Sequence, residues 1–307
     1  MVFHSKFSRY FAEIVSQGSM RKAADVLNVA ASAVDRQVLN AEQTLGVKLF
    51  DRLPSGLRLT SVGNAIAQQI ARWSNDEITL LQHIEELRSG KGGEVRVAVA
   101  DGLAVSFIPA LVTHLHEVSS KLRFKITVAN ATTSASLIRA NECDIALTFD
   151  PPSFTGLRVE AQVVSRIGAL VNIGHPLTKK PRIRLADCLD YQIIAPDSST
   201  ALWSTVENLF AEASLAFNVV FTSNNVALLC DMVKRGLGIA IMRDFDAVGH
   251  LADCTFLPLP GVKTAPQNLS LIVSSTNALR PGLEPVIQEI KAALEAIEQT
   301  DLPRMRS

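Results

Sequence analysis

Residues Gly18–Thr60, GSMRKAADVLNVAASAVDRQVLNAEQTLGVKLFDRLPSGLRLT, decide how the chain is read. Ser19 stands where an N-cap hydroxyl satisfies free helix N–H groups, and Met20, Ala23, Ala24 and Leu27 then repeat at helical spacing. Asn28 is a stop. After a short turn, Ala33, Val34, Val38, Ala41 and Leu45 form an apolar stripe opposite Asp35, Arg36, Asn40 and Gln43, which predicts a second helix ended by Gly46. The pair Ala23-Ala24 supplies the small residues that two steeply crossing helices need at their contact. Two short strands, Val47 to Arg52 and Leu57 to Thr60, are expected to follow, joined at Pro54-Ser55-Gly56 as a wing.

A major groove admits one helix and shows base edges to its N-terminal residues. Ala31, Ser32, Asp35 and Arg36 would face those edges. A guanidinium can donate two hydrogen bonds to a guanine, so Arg36 is either a base reader or a solvated helix arginine. Ser19, Arg21, Lys22, Arg52, Ser55 and Arg58 fall where phosphate or minor-groove contacts belong, or are surface only. These readings predict a protein that binds duplex DNA and catalyses nothing.

The same residues resemble the LysR-type transcriptional regulators. The match runs from Gly18 to Ala24, from Ser32 to Val38, from Leu45 to Arg52 and from Leu57 to Thr60. It departs at Ala30-Ala31-Ser32, where the family commonly has Ser-Gln-Pro, at Asp35, often Ser, and at Ser55, where a wing Arg is common. These departures bear on the operator sequence. Ala31 has no amide to read a base, and Asp35 repels phosphate while being able to accept from a cytosine amine.

The chain has 307 residues, enough for two or three domains with their own cores. Apolar residues make up 48% and charged residues 20%, which excludes a disordered or collagen-like chain, and no apolar run is long enough to span a membrane. The start, Met-Val-Phe-His-Ser-Lys, is unlike a secretory signal, so a cytoplasmic location is expected. Cys143, Cys188, Cys230 and Cys254 are widely spaced, indicating neither a zinc site nor a disulfide framework. The net charge of zero averages unlike parts: through Thr60 there are eight basic and five acidic residues, a balance of +3. So modest a footprint points to affinity gained by pairing modules on one DNA and weakened by salt.

Thr60 can cap a new helix, and Val62 to about Arg88 contains no proline. Ile66, Ile70, Trp73, Glu77, Leu80, Ile84 and Leu87 step by four and three, the spacing of a seam for a partner helix, or else of a helix packed on its own chain. The resemblance implies pairing, because this helix is the dimerisation linker of LysR-type regulators. Gly90-Lys91-Gly92-Gly93 reads as a hinge and, lacking a following Ser or Thr in the right place, not as a phosphate loop.

Beyond the hinge the pattern is α/β. Strand-like runs at Val95 to Ala100, Phe124 to Ala129 and Asp144 to Phe149 alternate with helical stretches, predicting a parallel lobe. Strands near Gly168 to Ile173, Gln192 to Ala195, Val219 to Phe221 and Gly238 to Met242 predict a second lobe, and a strand at Leu269 to Ser275 with a helix from Pro281 to Gln299 returns to the first. The resulting fold class is multidomain α plus α/β. It comprises a winged helix-turn-helix (1–60), a linker helix (61–89), a hinge (90–93) and an effector domain (94–307) that, by the resemblance, is bilobed like periplasmic solute-binding proteins of type 2. Lobe 1 takes about 94–163 and 269–307, lobe 2 about 164–268.

Ligands of open α/β sheets gather at strand C-termini beside helix N-termini. The loops there offer Asp101, Gly102 and Leu103; Asn130, Thr132 and Thr133; Asp197, Ser198 and Ser199; and Asn224 and Asn225, with Phe149 and Trp203 as apolar walls. Ordinary helix capping accounts for about half of such residues. Many LysR-type relatives carry Ser or Thr where Asp101 stands, helping to bind an anionic effector. A carboxylate there disfavours a second carboxylate and suits an amine or hydroxyls, unless Asp101 is an N-cap pointing away.

Enzyme signatures are lacking. His114 and His116 on one helix point about 200° apart and cannot easily share a metal. Gly236-x-Gly238 lies between helix and strand, the wrong order for a dinucleotide loop. No cofactor, metal or catalytic residue is expected. The expected partners are operator DNA, an unidentified small effector, further copies of the chain as a dimer or tetramer, and RNA polymerase for an activator. The alternative is a cytoplasmic solute-binding protein or enzyme with a bilobed α/β fold.

Overall fold

The structure is a computed structural model that describes residues 5–53, 56–89, 93–118, 120–153, 155–260, 267–275 and 283–299. The chain divides into two compact units, Met1–Gly90 and Lys91–Ser307.

The first unit opens with a helix absent from the sequence reading, α1 (Lys6–Gln17). Its signals are simple ones. The Ser8 N–H donates to the Ser5 hydroxyl at 3.1 Å, and Phe11 and Ile14 repeat on one face and are fully buried. Two further helices follow, α2 (Met20–Leu27) and α3 (Ala31–Leu45), with Ala23 and Ala24 buried in the cluster that joins all three. The wing is a hairpin of β1 (Phe50–Leu53) and β2 (Gly56–Leu59), paired Phe50 to Leu59. Its first strand starts later than the Val47 expected from sequence, because the Val47–Leu49 segment is held by other partners. The Leu49 N–H donates to Glu42 Oε1 at 2.8 Å, and the Thr60 hydroxyl donates to the Lys48 carbonyl at 2.8 Å. Pro54 and Ser55, the tip of the expected turn, lie outside the described residues.

Thr60 caps the long helix α4 (Ser61–Ser89), its hydroxyl accepting from the Gly63 N–H at 3.0 Å. A Cβ at Gly63 would collide with the Leu49 carbonyl oxygen, so glycine lets α4 close onto the wing. Two residues of the expected seam are corrected here. Ile70 is 2% exposed and belongs to the core formed with Phe11, Ile14, Val34 and Val38, and Ile66 packs against the same cluster. Periodicity identified the apolar face but not what covers it. Farther along, Trp73, Leu80 and Ile84 are about half exposed, flanked by exposed Ile78 and Leu81, while Glu77 is buried. The side chain of Leu87 and the hinge residues Gly90–Gly92 lie outside the described set.

The described residues of the second unit form two five-stranded sheets. In chain order its elements are β3 (Glu94–Val99), α5 (Asp101–Val118), β4 (Arg123–Val128), α6 (Ala131–Arg139), β5 (Ile145–Phe149), β6 (Leu157–Ser165), β7 (Ile167–Asn172), β8 (Ile193–Pro196), α7 (Ala201–Glu212), β9 (Val219–Ser223), α8 (Val226–Lys234), β10 (Ile239–Arg243), α9 (Asp244–Ala247), β11 (Cys254–Pro258), β12 (Gln267–Ser274) and α10 (Leu283–Gln299). The first sheet runs β4-β3-β5-β12-β6 and the second β11-β7-β10-β8-β9.

The three strands expected to be parallel are so, β3 running parallel to β4 and β5, while β12, antiparallel to both β5 and β6, makes the whole sheet mixed. The strands β6 and β11 were missed from sequence. In the second sheet β10 and β8 are parallel, and β7 is antiparallel to β10 and β11. Each sheet buries its own apolar cluster. The chain crosses between lobes twice, from β6 to β7 through Arg166 alone and again before β12.

Candidate functional site

The first surface of interest is the exposed part of α2, α3 and the wing. Ala31, Ser32 and Arg36 are exposed on α3, and Asp35 is partly buried. Ala30 offers no side-chain cap; its carbonyl accepts the Ala33 N–H at 2.9 Å, and the earlier first-turn N–H groups of α3 receive no side-chain acceptor from that position, the condition of an anion-binding helix end. Arg21 and Lys22 are exposed on the first turn of α2. Ser19 is the helix cap expected from sequence, its hydroxyl accepting the Lys22 N–H at 3.5 Å. Arg58 is exposed on β2, with its guanidinium 3.2 Å from Asp51 on the partner strand. Arg52 lies on β1 opposite Leu57, its side chain outside the described set, as is all of Ser55.

The second site is a cavity of about 420 Å³ between the two lobes of the second unit. Helix N-termini and strand C-termini from both sheets meet there, which follows from the parallel part of each sheet. Of the residues singled out from sequence, Asp101, Gly102, Asn130, Phe149, Ser199, Asn224 and Asn225 line it. The others do not. Leu103 is fully buried in the first lobe's core, Thr132 and Thr133 are exposed on α6 away from the cavity, and Ser198 is likewise exposed. Asp197 turns its carboxylate onto the Ser199 N–H at 2.9 Å, and Trp203 packs 6.1 Å from Phe217. Capping explains much of the polar content: Asn130, Thr200 and Asn225 accept from the N–H groups of Thr133, Trp203 and Leu228.

Asp101 is a cap of an unanticipated kind. From the first lobe, its Oδ2 accepts the Val226 N–H of α8 in the second lobe at 2.6 Å. One carboxylate thus ties the lobes and neutralises the positive end of α8.

Sequence reading missed the most consequential lining residues, Arg243 and Asp246, although they follow the strand β10 at its carboxyl end, where ligands are expected. The Arg243 guanidinium lies 3.9 Å over the Phe149 ring, and its Nε donates to Gln267 Oε1 at 3.2 Å. Asp246 is 1% exposed, with Oδ2 3.7 Å from the Arg243 Nη1. The Arg243 backbone N–H lies near it, but neither carboxylate oxygen has a hydrogen bond of good geometry. Burial pushes the Asp246 carboxyl up from its ordinary value, with Arg243 pulling the other way. A Cβ at Gly102 would collide with Asp246 Oδ1, so only glycine lets the start of α5 approach this carboxylate.

Between them in sequence, Asp244 pins the first lobe crossing. Ser165 Oγ donates to it at 2.6 Å, and Arg166 Nε approaches at 3.3 Å. Gln267, bonded to Arg243, begins the strand after the second crossing. The cavity wall and both crossings therefore share the segment Arg243–Asp246.

All four cysteines are buried and unpaired. Burial pushes the Cys143 and Cys254 thiols up to about 11 and the Cys188 thiol to about 12, and raises Cys230 as well. Among the described residues no group of His, Cys, Asp or Glu is arranged to hold a metal ion, and no helix is long and apolar enough to cross a membrane.

Comparison with known proteins accounts for both units. Residues 7–64 match the bacterial regulatory helix-turn-helix proteins of the lysR family, and residues 88–295 match the LysR substrate binding domain. A probable nitrogen assimilation transcriptional activator of Synechococcus elongatus is 23% identical over 75% of this chain and 75% of its own length. The regulatory protein NocR of Agrobacterium tumefaciens is 23% identical over 77% of this chain and 79% of its own. Among solved structures, full-length CbnR complexed with its target DNA has a TM-score of 0.65 at 18% identity, covering 94% of this chain and 99% of that one. A full-length OxyR variant from Pseudomonas aeruginosa has a TM-score of 0.61 at 21% identity, covering 99% and 98%. With both units matched in order, the chain belongs to the LysR family of transcriptional regulators, having a DNA-binding helix-turn-helix and an effector-binding domain.

Proposed function

We propose that the interlobe cavity is the effector site and that its occupancy changes how paired modules sit on an operator. The observation carrying this reading is the double role of Arg243–Asp246: the segment lines the cavity and holds the strands at both lobe crossings. A ligand contacting Arg243 or Asp246 touches the segment through which Asp244 and Arg243 hold the two lobe crossings. Effector then shifts a population of lobe arrangements to the extent that it binds one better than another.

On the DNA side, Arg36 reads a base and Arg21, Lys22, Arg52 and Arg58 seat phosphates, with Ser19 positioning α2. Trp73, Leu80, Ile84 and Leu87 pair the linker helices, and dimers pair again into tetramers. The domain roles are DNA binding for 1–60, pairing for 61–89 and sensing for 94–307, with 90–93 as the hinge. The regulator works in the cytoplasm without catalysis, engaging RNA polymerase where it activates.

A gel-shift series on the DNA upstream of the gene tests the reading. Arg36→Ala in the full chain is expected to weaken binding and relax one base preference, at a cost of about 1–3 kcal/mol. Asn224→Trp, which fills the cavity from an exposed position, is expected to abolish effector response while leaving operator binding intact. An effector response that survives Asn224→Trp would sink the cavity assignment.

A further inference from the structure

The cavity's charges are unbalanced, and this extends the reading of it as the effector site to a class of effector. Its described lining contains one cation, Arg243, and two carboxylates, Asp101 and Asp246. Arg243 already has Phe149 beneath it, Gln267 at 3.2 Å and Asp246 at 3.7 Å. Asp101 serves the Val226 N–H through one oxygen, which leaves further lone pairs on the carboxylate. Asp246 is in a different position. It is 1% exposed, neither oxygen has a hydrogen bond of good geometry, Arg243 stays 3.7 Å away, and Gly102 is bare where any side chain would push it out of place. A buried carboxyl whose donors are this poorly placed is costly, and a fold that keeps it beside a cavity of ligand size invites a donor from the ligand.

A donor alone does not describe the site. The N-termini of α6 and α7 also line it, through Asn130 and Ala131 and through Thr200 and Ala201. Their caps serve only the Thr133 and Trp203 N–H groups, and by helix geometry the preceding first-turn N–H groups have no intrahelical acceptor. Such ends attract an anion. The N-terminus of α8 does not compete, because Asp101 already occupies it. The cavity therefore offers a buried anion on one wall and two open positive helix ends on another.

We propose that the effector is a small zwitterion of the amino-acid class, with its ammonium group on Asp246 beside Asp101 and its carboxylate at the N-termini of α6 and α7. The volume of about 420 Å³ suits a molecule of this size. A simple aromatic acid satisfies the helix ends but leaves Asp246 without a donor. A simple amine does the reverse.

Isothermal calorimetry on the full-length protein tests this with the twenty L-amino acids and their ω-amino counterparts, the matching 2-oxo acids and the matching decarboxylated amines. At least one amino acid is expected to bind, with its 2-oxo acid and its amine each weaker by about tenfold or more. Asp246→Asn, which keeps the shape and removes the charge, is expected to lose a similar factor. Asp101→Asn, which keeps an oxygen for Val226, is expected to lose less. If circular dichroism shows that Asp246→Asn is unfolded, Asp101→Asn carries the test, and undiminished affinity there overturns the proposal. So does a panel in which no amino acid binds, or in which a 2-oxo acid matches its amino acid. Asn224→Trp separates the two levels of argument. An amine-free acid whose binding it blocks leaves the cavity assignment standing and refutes the zwitterion. Amino-acid binding that survives Asn224→Trp refutes the cavity assignment instead.

Discussion

At Glu42 a carboxylate that helical patterning marks only as polar joins α3 to the wing. It is 8% exposed, accepts the Leu49 N–H at 2.8 Å and pairs with the Lys48 ammonium at 2.7 Å. Burial by itself raises its pKa, but the Lys48 and Leu49 bonds outweigh burial and hold the carboxyl below its ordinary value. The folded pKa therefore lies under the unfolded value of about 4.3. Its stabilisation is present above that value and is lost as pH falls through the lower, folded one. Glu42→Gln is expected to cost about 1.5–3 kcal/mol at neutral pH and to blunt the acid sensitivity of melting followed by circular dichroism. Identical melting of variant and parent at pH 7 would refute this role. The thiols give a second residue-scale expectation. With Cys143 and Cys254 held near 11 and Cys188 near 12, none is a thiolate at pH 8, and all are buried. Iodoacetamide is expected to label no cysteine in the native protein and all four in denaturant; rapid native labelling at any one would show its burial to be wrong. Residue identity made Ser19 legible as a cap, because capping is local chemistry, whereas Asn130 and Asn225, expected as effector donors, cap α6 and α8 as well as lining the cavity. Asp246 was not legible, since its isolation depends on a glycine 144 positions earlier in the chain.

The elements repeat the same lesson through α4. A seven-residue pattern foretold one face from Ile66 to Leu87, and the described face is apolar apart from the buried Glu77, yet Ile66 and Ile70 close onto the protein's own helices. Period reports which residues share a face and carries no information about the surface opposite. Local signals were also read unevenly: α1 had its Ser5 cap and its Phe11 and Ile14 spacing, and β6 alternates apolar and polar residues from Leu157 to Val163, but neither was recognised. Both halves of α4 can be tested apart. Ile70→Ala is expected to cost about 2–5 kcal/mol of stability, because it empties a core position. Changing Trp73, Leu80 and Ile84 together to lysine removes only half-exposed side chains, so folding is expected to persist while light scattering reports monomer in place of dimer. A triple variant that remains dimeric would move the interface off this helix.

Across the whole molecule the charge is partitioned. The full chain balances 30 basic against 30 acidic residues, so the +3 carried through Thr60 leaves 22 basic and 25 acidic residues, a balance of −3, for everything after it. Two of the leading unit's acidic groups are engaged by its own cations, Glu42 by Lys48 and Asp51 by Arg58. DNA attraction must then come from a few exposed cations of residues 1–60, repeated by oligomerisation, because residues 61–90 add two basic and four acidic residues and the second unit, with 20 basic against 21 acidic, contributes nothing favourable in net charge. This fixes the form of the salt dependence. If Arg21, Lys22, Arg52 and Arg58 each seat one phosphate, a dimer neutralises eight, and log affinity is expected to fall against log salt with a slope of roughly −7. Arg21→Ala removes two contacts per dimer, reducing that slope by about 2, and weakens specific and non-specific DNA alike. Arg36→Ala, in contrast, changes preference among operator sequences more than it changes the slope. Fluorescence anisotropy across a salt series, on operator and on scrambled DNA, distinguishes the two kinds of contact. A slope shallower than about −3, or an Arg21→Ala effect confined to operator DNA, would mean that phosphate seating does not lie where the exposed face of α2 puts it.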